Sequence, residues 1–332
     1  MNLKDTKNIL VIRFSSLGDL ITLEPTFRAF RYFYPQDHIT FLTTPVGFEL
    51  FRDSNYFDDY LIYDGLLKAI IQMKNRKFDI VFNVQNNKPS LILASLLHSK
   101  LTINKSYSLQ DKLLCRKPKV KNFLDMLESS GILRDVLTTY DTDVHKTVVL
   151  PNKKIPDFTQ QNFVAVSVGS SKQWPSKQWP LEKYIELIQF FAQNNVKTIL
   201  VGSQLEVKAS IEIKKYFNEN EIVDFVNKTT VGELKNILAS VKFFVGNDSG
   251  PAHIAAGVGT PTITLFGSTD IKHCVKYLSY SGHHICIKPD AHIKCHPCYK
   301  KICPTKHECM YSIETTKVIS TIKENFGSMF SE

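Results

Sequence analysis

The chain has 332 residues, a formal net charge of +9 and an isoelectric point near 9.0. An apolar content of 43% and a charged content of 22% indicate a folded globular protein and exclude a disordered or fibrous chain. The length favours two domains, and apolar runs such as residues 91–97 are far too short to span a membrane. Residues 1–7 are polar and lead straight into a predicted strand, so we expect no signal peptide and a cytoplasmic location.

Strands and helices alternate along the first half of the chain, which predicts a parallel α/β sheet. The helical stretches lie between the strands, as at Leu66–Arg76. The segment Thr138–Gln161 has no clear period and contains two prolines, so we interpret it as a domain linker. Predicted strands lie near Asn8–Ile12, Ile39–Leu42, Tyr60–Ile62, Phe78–Phe82 and Lys100–Ile103.

A polar turn follows the first predicted strand and reads Arg13-Phe14-Ser15-Ser16-Leu17-Gly18-Asp19. Ser15, Ser16 and Gly18 predict a tight turn with free backbone donors, and Asp19 is its only carboxylate. A hydroxyl is a poor nucleophile until its proton is removed, which an aspartate in a partly desolvated cleft can do. The residues alone also allow a second role for Asp19, as the N-cap of a helix beginning near Leu20.

The basic excess is concentrated in one stretch of the first half. Nucleic acid is the general partner of so basic a chain, but no helix-turn-helix, RNA-recognition or zinc-finger signature accompanies it. An anionic membrane face or a phosphorylated lipid-linked acceptor is the alternative partner, and a solvated surface is the plainest interpretation. The stretch comprises Lys100, Lys105, Lys112, Arg116, Lys117, Lys119 and Lys121.

The second half restarts the alternation of strands and helices. Thr230 to Glu233 form a capping box that predicts the start of another helix. An amphipathic helix is expected over about Ile313–Asn325. The other elements predicted here are strand Phe163–Val168, helix Leu181–Gln193, strand Thr198–Val201, a helix from about Leu205 to Phe217 and a short strand near Ile222.

Two turns in this half are candidates for binding a nucleotide. Gly169 and Ser170 follow the first strand, and small residues there let a nucleotide approach the backbone. Lys172 can place a point charge on a diphosphate, and Lys177 is its copy, because Ser171–Pro175 is repeated as Ser176–Pro180. In the second turn, Glu206 either accepts hydrogen bonds from ribose hydroxyls or is an exposed helix-start glutamate.

A strand–turn–helix–strand unit spans Phe243–Gly267. Apolar residues predict strands at Phe243–Val245 and Thr262–Phe266, with a helix at about Pro251–Val258. Backbone N–H groups at Ser249 and Gly250 and the positive end of that helix form an anion site, most often for phosphate. Asp248 and His253 flank it, one to accept sugar hydroxyls and the other to face the same ligand.

Four cysteines lie in one short, basic loop: Cys295, Cys298, Cys303 and Cys309. In a reducing compartment such a set indicates a small structural zinc or iron site rather than disulfides. The spacing is not that of the common paired zinc knuckles, so ligand count is the only support for a metal. Cys115, Cys274 and Cys286 are interpreted as ordinary core or surface thiols.

Three of these segments together resemble glycosyltransferase family 9, the ADP-heptose:lipopolysaccharide heptosyltransferases. They are ILVIRFSSLGDLITLEPTFRAF (residues 9–30), VAVSVGSSKQWPSKQWPLEKY (residues 164–184) and NDSGPAHIAAGVGTPTITLFG (residues 247–267). The resemblance implies a GT-B architecture, with two doubly wound parallel-sheet (Rossmann-like) domains facing a cleft. The expected parts are an acceptor-side domain at 1–150, a nucleotide-sugar-binding domain at 151–312 with the Cys-rich loop 295–309, and a final helix at 313–332 that can cross back.

The resemblance also implies roles for individual residues. Asp19 matches the position of the family's presumed base, with Arg13, Ser15, Ser16 and Gly18 on the acceptor and phosphate side. Lys172 fits the family spacing better than Lys177. A glutamate in the matching segment binds ribose, as expected of Glu206. The donor site would comprise Ser170, Lys172, Glu206, Asp248, Ser249, Gly250 and His253, and many members of the family carry a similar cysteine segment.

The implied function is inverting, metal-independent transfer of a heptose from ADP-heptose to an inner-core sugar of lipopolysaccharide or lipooligosaccharide. The partners would be the ADP-heptose donor and an anionic glycolipid acceptor at the inner membrane, with peripheral association on its inner face. No cofactor is expected for catalysis, and no nucleic acid. Two alternatives stay open: transfer to serines of a surface protein, and a nucleotide- or nucleic-acid-binding regulator without turnover.

Overall fold

The computed structural model of the chain describes residues 7–15, 17–85, 87–104, 148–159, 161–271, 283–290 and 292–330. The chain divides into two compact units, Met1–Pro151 and Asn152–Glu332. Each unit has its own parallel sheet with helices packed on it, as the alternation of apolar runs predicts.

The sheet of the first unit is fully parallel and has the strand order β3-β2-β1-β4-β5. Its five strands lie within one or two residues of the predicted ones. They are β1 Asn8–Arg13, β2 His38–Thr43, β3 Asp59–Ile62, β4 Ile80–Asn83 and β5 Leu101–Asn104. Within the described residues, the helices of this unit are α1 Leu17–Ile21, α2 Glu24–Phe33, α3 Pro45–Phe51, α4 Leu66–Met73 and α5 Lys88–Leu96.

Apolar side chains cover both faces of this sheet. On one face, Leu10 and Ile12 of β1 pack with Met73 of α4 and Leu93 of α5. On the other, aromatic rings from α2, α3, β2 and β4 pack against one another, tilted or edge to face. Strand β1 is therefore buried on both sides, which explains its continuous apolar run.

The second unit has a six-stranded parallel sheet in the order β11-β10-β9-β6-β7-β8. Its strands are β6 Phe163–Ser167, β7 Lys197–Leu200, β8 Ile222–Asp224, β9 Phe244–Asn247, β10 Thr262–Leu265 and β11 His284–Ile287. Its helices are α6 Pro156–Thr159, α7 Leu181–Gln193, α8 Val207–Ile213, α9 Val231–Leu238, α10 Gly250–Gly257, α11 Glu308–Tyr311 and α12 Thr315–Phe326. The predicted capping box at the start of α9 is confirmed, because Thr230 Oγ1 accepts from the Glu233 backbone N–H.

Two elements of the second unit differ from the prediction. Strand β11 was not predicted, because His284 and Cys286 alternate with its two isoleucines at the sheet edge. The helix predicted from Leu205 begins as a 3₁₀ turn, Gln204–Glu206, and continues as α8 only to Ile213. The final helix α12 packs against α7 through Val318 and Ile322; its predicted return to the first domain stays a prediction.

Candidate functional site

Each sheet reverses its strand order at one point, and the predicted site residues gather there. In the first sheet the reversal lies between β1 and β4, and in the second between β6 and β9. In open α/β sheets a ligand crevice forms at the carboxyl ends of the strands beside such a reversal. Each unit therefore carries a candidate binding edge of its own.

In the first unit, Asp19 pairs with the last residue of β1. Arg13 Nη2 lies 3.0 Å from Asp19 Oδ2, and Arg13 Nη1 donates to the Val84 carbonyl at 2.7 Å. The Arg13 side chain is 6% exposed and that of Asp19 is 21% exposed. Helix α1 begins at Leu17, so Asp19 lies inside its first turn, and the alternative N-cap role for a helix starting near Leu20 is wrong.

Gln85 supports the same turn and was not singled out from the sequence. Its Oε1 accepts from the backbone N–H groups of Phe14 (3.0 Å) and Ser15 (3.3 Å). Its Nε2 donates to Ser15 Oγ at 3.4 Å. The sequence feature that could have indicated Gln85 is its position two residues after β4, the strand that pairs with β1. Ser15 is exposed and Gly18 lies in α1, whereas Ser16 is outside the described residues.

Asp248 is the centre of the contacts at the edge of the second sheet. Its side chain is 5% exposed, and Lys177 Nζ lies 2.5 Å from Oδ2. Thr269 Oγ1 donates to the same oxygen at 3.1 Å, and His253 Nε2 lies 3.7 Å from Oδ1. Lys177 from a distant segment, Thr269 from beyond β10 and His253 from the following helix are thus tied to one buried carboxylate, which fixes its position.

The structure brings Lys177 to Asp248 and leaves Lys172 outside this group. Lys177 is half-buried, and its Nζ also lies 5.1 Å from the centre of the Trp174 ring. Lys172 is exposed and forms no hydrogen bond or ion pair with the other described residues. The two lysines have identical neighbours in the repeat, so only the fold distinguishes them.

Helix α10 begins at Gly250, and Ser249 is its N-cap. Ser249 Oγ is buried and has no hydrogen-bond partner among the described residues. The first backbone N–H groups of a helix also lack partners within it, so they are available to an anion together with this hydroxyl. The predicted anion site is therefore present in geometry, although its ligand stays a prediction.

Glu206 is buried against Gly169. A Cβ at position 169 would lie 1.9 Å from Glu206 Oε1, so any side chain there would displace the carboxylate. Oε2 accepts from the backbone N–H of Ser203 at 2.6 Å and from its hydroxyl at 2.8 Å. Oε1 accepts no hydrogen bond from the described residues, and Glu206 is not the exposed glutamate of the alternative interpretation. Ser170 is half-buried beside this pair.

Asn247 connects the turn at Gly169 with the segment at Trp179, and it was not singled out from the sequence. Its Nδ2 donates to the Gly169 carbonyl at 2.8 Å, and its Oδ1 accepts from the Trp179 backbone N–H at 3.0 Å. The residue is completely buried. Trp179 belongs to the core, as expected, and its Nε1 donates to the Ile313 carbonyl.

The cysteine loop lies in the second unit, and its thiols form no disulfide among the described residues. Cys309 is buried, Cys298 and Cys303 are half-buried, and Cys295 is exposed. Burial, together with the charges of the other three cysteines when they are ionised, raises the pKa of the Cys309 thiol to about 11. In the described parts of the chain, no three His, Cys, Asp or Glu side chains are placed to hold a metal ion.

Comparison with known proteins decides the family. The model of glycosyltransferase family 9 (heptosyltransferase) matches residues 66–308, more than half of the chain. The chain belongs to glycosyltransferase family 9. It is therefore a glycosyltransferase, and the GT-B fold class predicted from the sequence, with two doubly wound parallel sheets, is confirmed.

Similar proteins span almost the whole of this family 9 glycosyltransferase. Lipooligosaccharide heptosyltransferase 2 of Campylobacter jejuni is 23% identical over 321 residues, 93% of this chain and 96% of that one. The structure of E. coli ADP-heptose lps heptosyltransferase II has a TM-score of 0.73 at 17% identity and covers 97% of this chain and 98% of its own. The iron-containing dodecameric glycosyltransferase TibC from E. coli has a TM-score of 0.59 at 13% identity, covering 99% and 78%.

The described residues bear on two further expectations, the absence of a membrane-spanning helix and the basic stretch of the first half. Within the described residues, no helix is both long enough and apolar enough to cross a membrane. Of the basic stretch, only Lys100 is described, and its Nζ lies 2.8 Å from Asp79 Oδ1. Its other members, Lys105 to Lys121, lie outside the described residues, as do Cys115 and Cys274.

Proposed function

We propose that this chain transfers a heptose from ADP-heptose to an inner-core sugar of lipopolysaccharide or lipooligosaccharide, with inversion at the anomeric carbon. The observation that carries the proposal is the edge of the second sheet, where Lys177, Asp248 and the start of α10 surround one position. A cation, a carboxylate and helix-start donors suit a nucleoside diphosphate sugar. The names of the relatives support the nucleotide, the sugar and the acceptor.

Glu206 binds the ribose in this proposal. Its Oε1 is held against Gly169 and has no partner among the described residues, so it can accept from a ribose hydroxyl. Because Oε2 is occupied by Ser203, the carboxylate cannot rotate without losing two hydrogen bonds. Glycine at 169 leaves room for both the carboxylate and the nucleotide.

Lys177 and the start of α10 stabilise the departing ADP. Breaking the bond between the anomeric carbon and the diphosphate oxygen leaves negative charge on ADP, and fixed donors aimed at that charge lower the barrier. Lys177 supplies a cation, Ser249 a hydroxyl, and Gly250 a backbone N–H. Asp248 holds Lys177 in place, and its Oδ1 side faces His253.

Asp19 acts as the base for the acceptor. The acceptor hydroxyl oxygen attacks the anomeric carbon, its proton passes to the Asp19 carboxylate, and ADP leaves with the electron pair of the broken bond. Arg13 orients this carboxylate through Oδ2, and Val84 in turn orients Arg13. Gln85 fixes the preceding backbone.

Turnover with a panel of nucleotide-sugars tests the function. We expect transfer from ADP-heptose to heptose-deficient lipooligosaccharide, inverted anomeric configuration by NMR, and rates nearly unchanged after brief exposure to EDTA. A strict requirement for added Mg²⁺ or Mn²⁺ would contradict charge stabilisation by Lys177 and α10. Transfer to serines of a surface protein, with none to the glycolipid, would replace the acceptor in this proposal.

The same function needs access to a lipid-anchored acceptor, and α4 and α5 present a surface suited to an anionic membrane. Their outward faces expose two pairs of apolar side chains spaced four residues apart, Leu67 with Ile71 and Ile92 with Leu96. Leu67 is 72% exposed and Ile71 is 64% exposed. A groove of about 730 Å³ between the helices has an apolar floor that includes Met73.

Cations dominate the rim of this surface. Lys74, Arg76, Lys77 and Lys100 line the groove, and Asp79 is the one acid that lines it among the described residues. Apolar side chains surrounded by lysines favour the interface of an anionic bilayer, where the chains enter the headgroup layer and the cations meet lipid phosphates. We therefore assign peripheral membrane association to the α4–α5 face.

Ile71→Glu should weaken binding to phosphatidylglycerol vesicles about tenfold, because it removes apolar burial and adds a repelled charge. Co-sedimentation measures the effect, and ADP affinity should not change. Ile211→Glu is the matched control, since Ile211 is an exposed apolar residue on α8 of the other unit. Equal vesicle binding by both variants and the wild type would remove this face from membrane association.

A structural metal at the cysteine loop completes the proposal. Four thiols on one loop have the donor chemistry of a zinc or iron site, and three of them lie near enough to Cys309 to raise its pKa, although no three of the described ligand side chains are placed to hold an ion in this structure. Elemental analysis of anaerobically purified protein should find close to one zinc or iron per chain, and Cys309→Ser should lose it. If wild-type protein contained no metal, and its melting temperature were the same with and without a chelator, the metal site would be contradicted.

A further inference from the structure

The cysteine loop is hydrogen-bonded to two short segments that lead directly into the donor site. One segment is Ser176, which precedes Lys177, and the other is Gly267-Ser268, which precedes Thr269. Lys177 and Thr269 both contact Asp248 Oδ2. Each contact of the loop is therefore one or two residues away from a group that holds Asp248.

Ser176 is fixed by the loop on every polar atom. Its backbone N–H donates to the Lys301 carbonyl at 3.2 Å, and its hydroxyl donates to the Lys300 carbonyl at 2.6 Å. Its own carbonyl accepts from His307 Nε2 at 2.6 Å. Ser176 is 2% exposed, so water does not replace these partners easily.

The second segment is bound in the same way. His296 Nδ1 donates to the Gly267 carbonyl at 2.7 Å, and the Tyr299 backbone N–H donates to the Ser268 carbonyl at 2.8 Å. The hydroxyls of Ser268 and Ser176 lie 2.9 Å apart, which joins the two segments. One loop therefore binds both segments that carry the Asp248 contacts, the one before Lys177 and the one before Thr269.

We propose that His307 and Ser176 are positioning residues through which the cysteine loop sets Lys177 for the donor diphosphate. The proposal rests on the proposed function, because the ligand of Lys177 is the diphosphate of that function. A lysine has a flexible four-carbon stem, so the charge is well placed only if the backbone below it is fixed. Loosening the loop lowers the fraction of molecules with Lys177 in place and raises the apparent Kd by the same factor.

His307→Asn tests the inference against His307→Gln. His307 has a φ of 63°, a left-handed conformation that asparagine tolerates, but the asparagine amide is too short to reach the Ser176 carbonyl. The glutamine amide can reach the position of Nε2. We expect His307→Asn to raise the Kd for ADP about five- to twentyfold in calorimetry, and His307→Gln to recover most of the affinity.

The kinetic signature separates positioning from general destabilisation. Saturating donor selects the molecules with Lys177 in place, so His307→Asn should raise KM for the donor and leave kcat within about twofold. His292→Ala, an exposed histidine shortly before the loop, is the matched control and should change neither constant. A kcat loss as large as the KM change would reject the positioning role.

A double-mutant cycle decides whether the effect passes through Lys177. In the Lys177→Ala background, His307→Asn should have no further effect on the Kd for ADP beyond about twofold. The same fold-loss in both backgrounds would overturn the inference. ADP binding that falls with Lys177→Ala but not with His307→Asn would also overturn it, whereas no ADP binding by the wild type would reject the proposed donor itself.

Discussion

Asp19→Asn is expected to lower kcat by about two to four orders of magnitude, the usual contribution of a general base. Asparagine keeps the shape and can still accept from Arg13 Nη2, but it cannot take the acceptor's proton. The fold and the ADP affinity should therefore be retained. Steady-state kinetics with the glycolipid acceptor and calorimetry with ADP measure the two effects separately.

The control for this variant is Asp58→Asn. Asp58 also pairs with an arginine of the first unit, Arg31, with 2.6 Å between Nη2 and Oδ2. Arg31 and the Ile39 backbone N–H keep the pKa of Asp58 below its usual value despite the opposing effect of burial. Asp58→Asn should lower the melting temperature without changing kcat. Turnover of Asp19→Asn within a few-fold of the wild type would remove Asp19 from the mechanism.

Lys177→Ala is expected to lower kcat/KM by about two to three orders of magnitude, comparable to the loss of one donor aimed at a developing charge. The variant removes the cation from the leaving diphosphate and leaves Asp248 buried with Thr269 and His253. Lys172→Ala is the matched control, because both lysines lie in the same sequence, Ser-Lys-Gln-Trp-Pro. Its kcat/KM should stay within a few-fold of the wild type.

The opposite result would favour Lys172, the lysine that fits the family spacing better. If Lys172→Ala lost activity and Lys177→Ala did not, the ion pair with Asp248 would be structural, and Lys172 would be the residue on the diphosphate. Equal losses would mean that both lysines contribute. Melting temperatures distinguish a lost ion pair from a lost ligand contact, because only Lys177 is tied to a buried carboxylate.

The sequence predicted the strands well because each buried strand is an apolar run bounded by polar turns, as at Asn8–Arg13. It predicted that Asp248 and Ser249 lie at a helix start, because local turn chemistry is sufficient for that. It favoured Lys172 over Lys177 on family spacing, because the contact that brings Lys177 to Asp248 joins residues 71 apart in sequence and has no local signal. Gln85 was missed for the same reason, because its partners Phe14 and Ser15 are about as distant in sequence.

The repeated pentapeptide has an evolutionary consequence. Its second copy is constrained by the ion pair of Lys177, the hydrogen bonds of Ser176 and the packing of Trp179. The corresponding residues of the first copy, Ser171 and Lys172, are exposed. Identical sequences are therefore constrained differently: the second copy is held by its contacts, whereas Ser171 and Lys172 of the first are open to substitution and its Trp174 is held by Lys177.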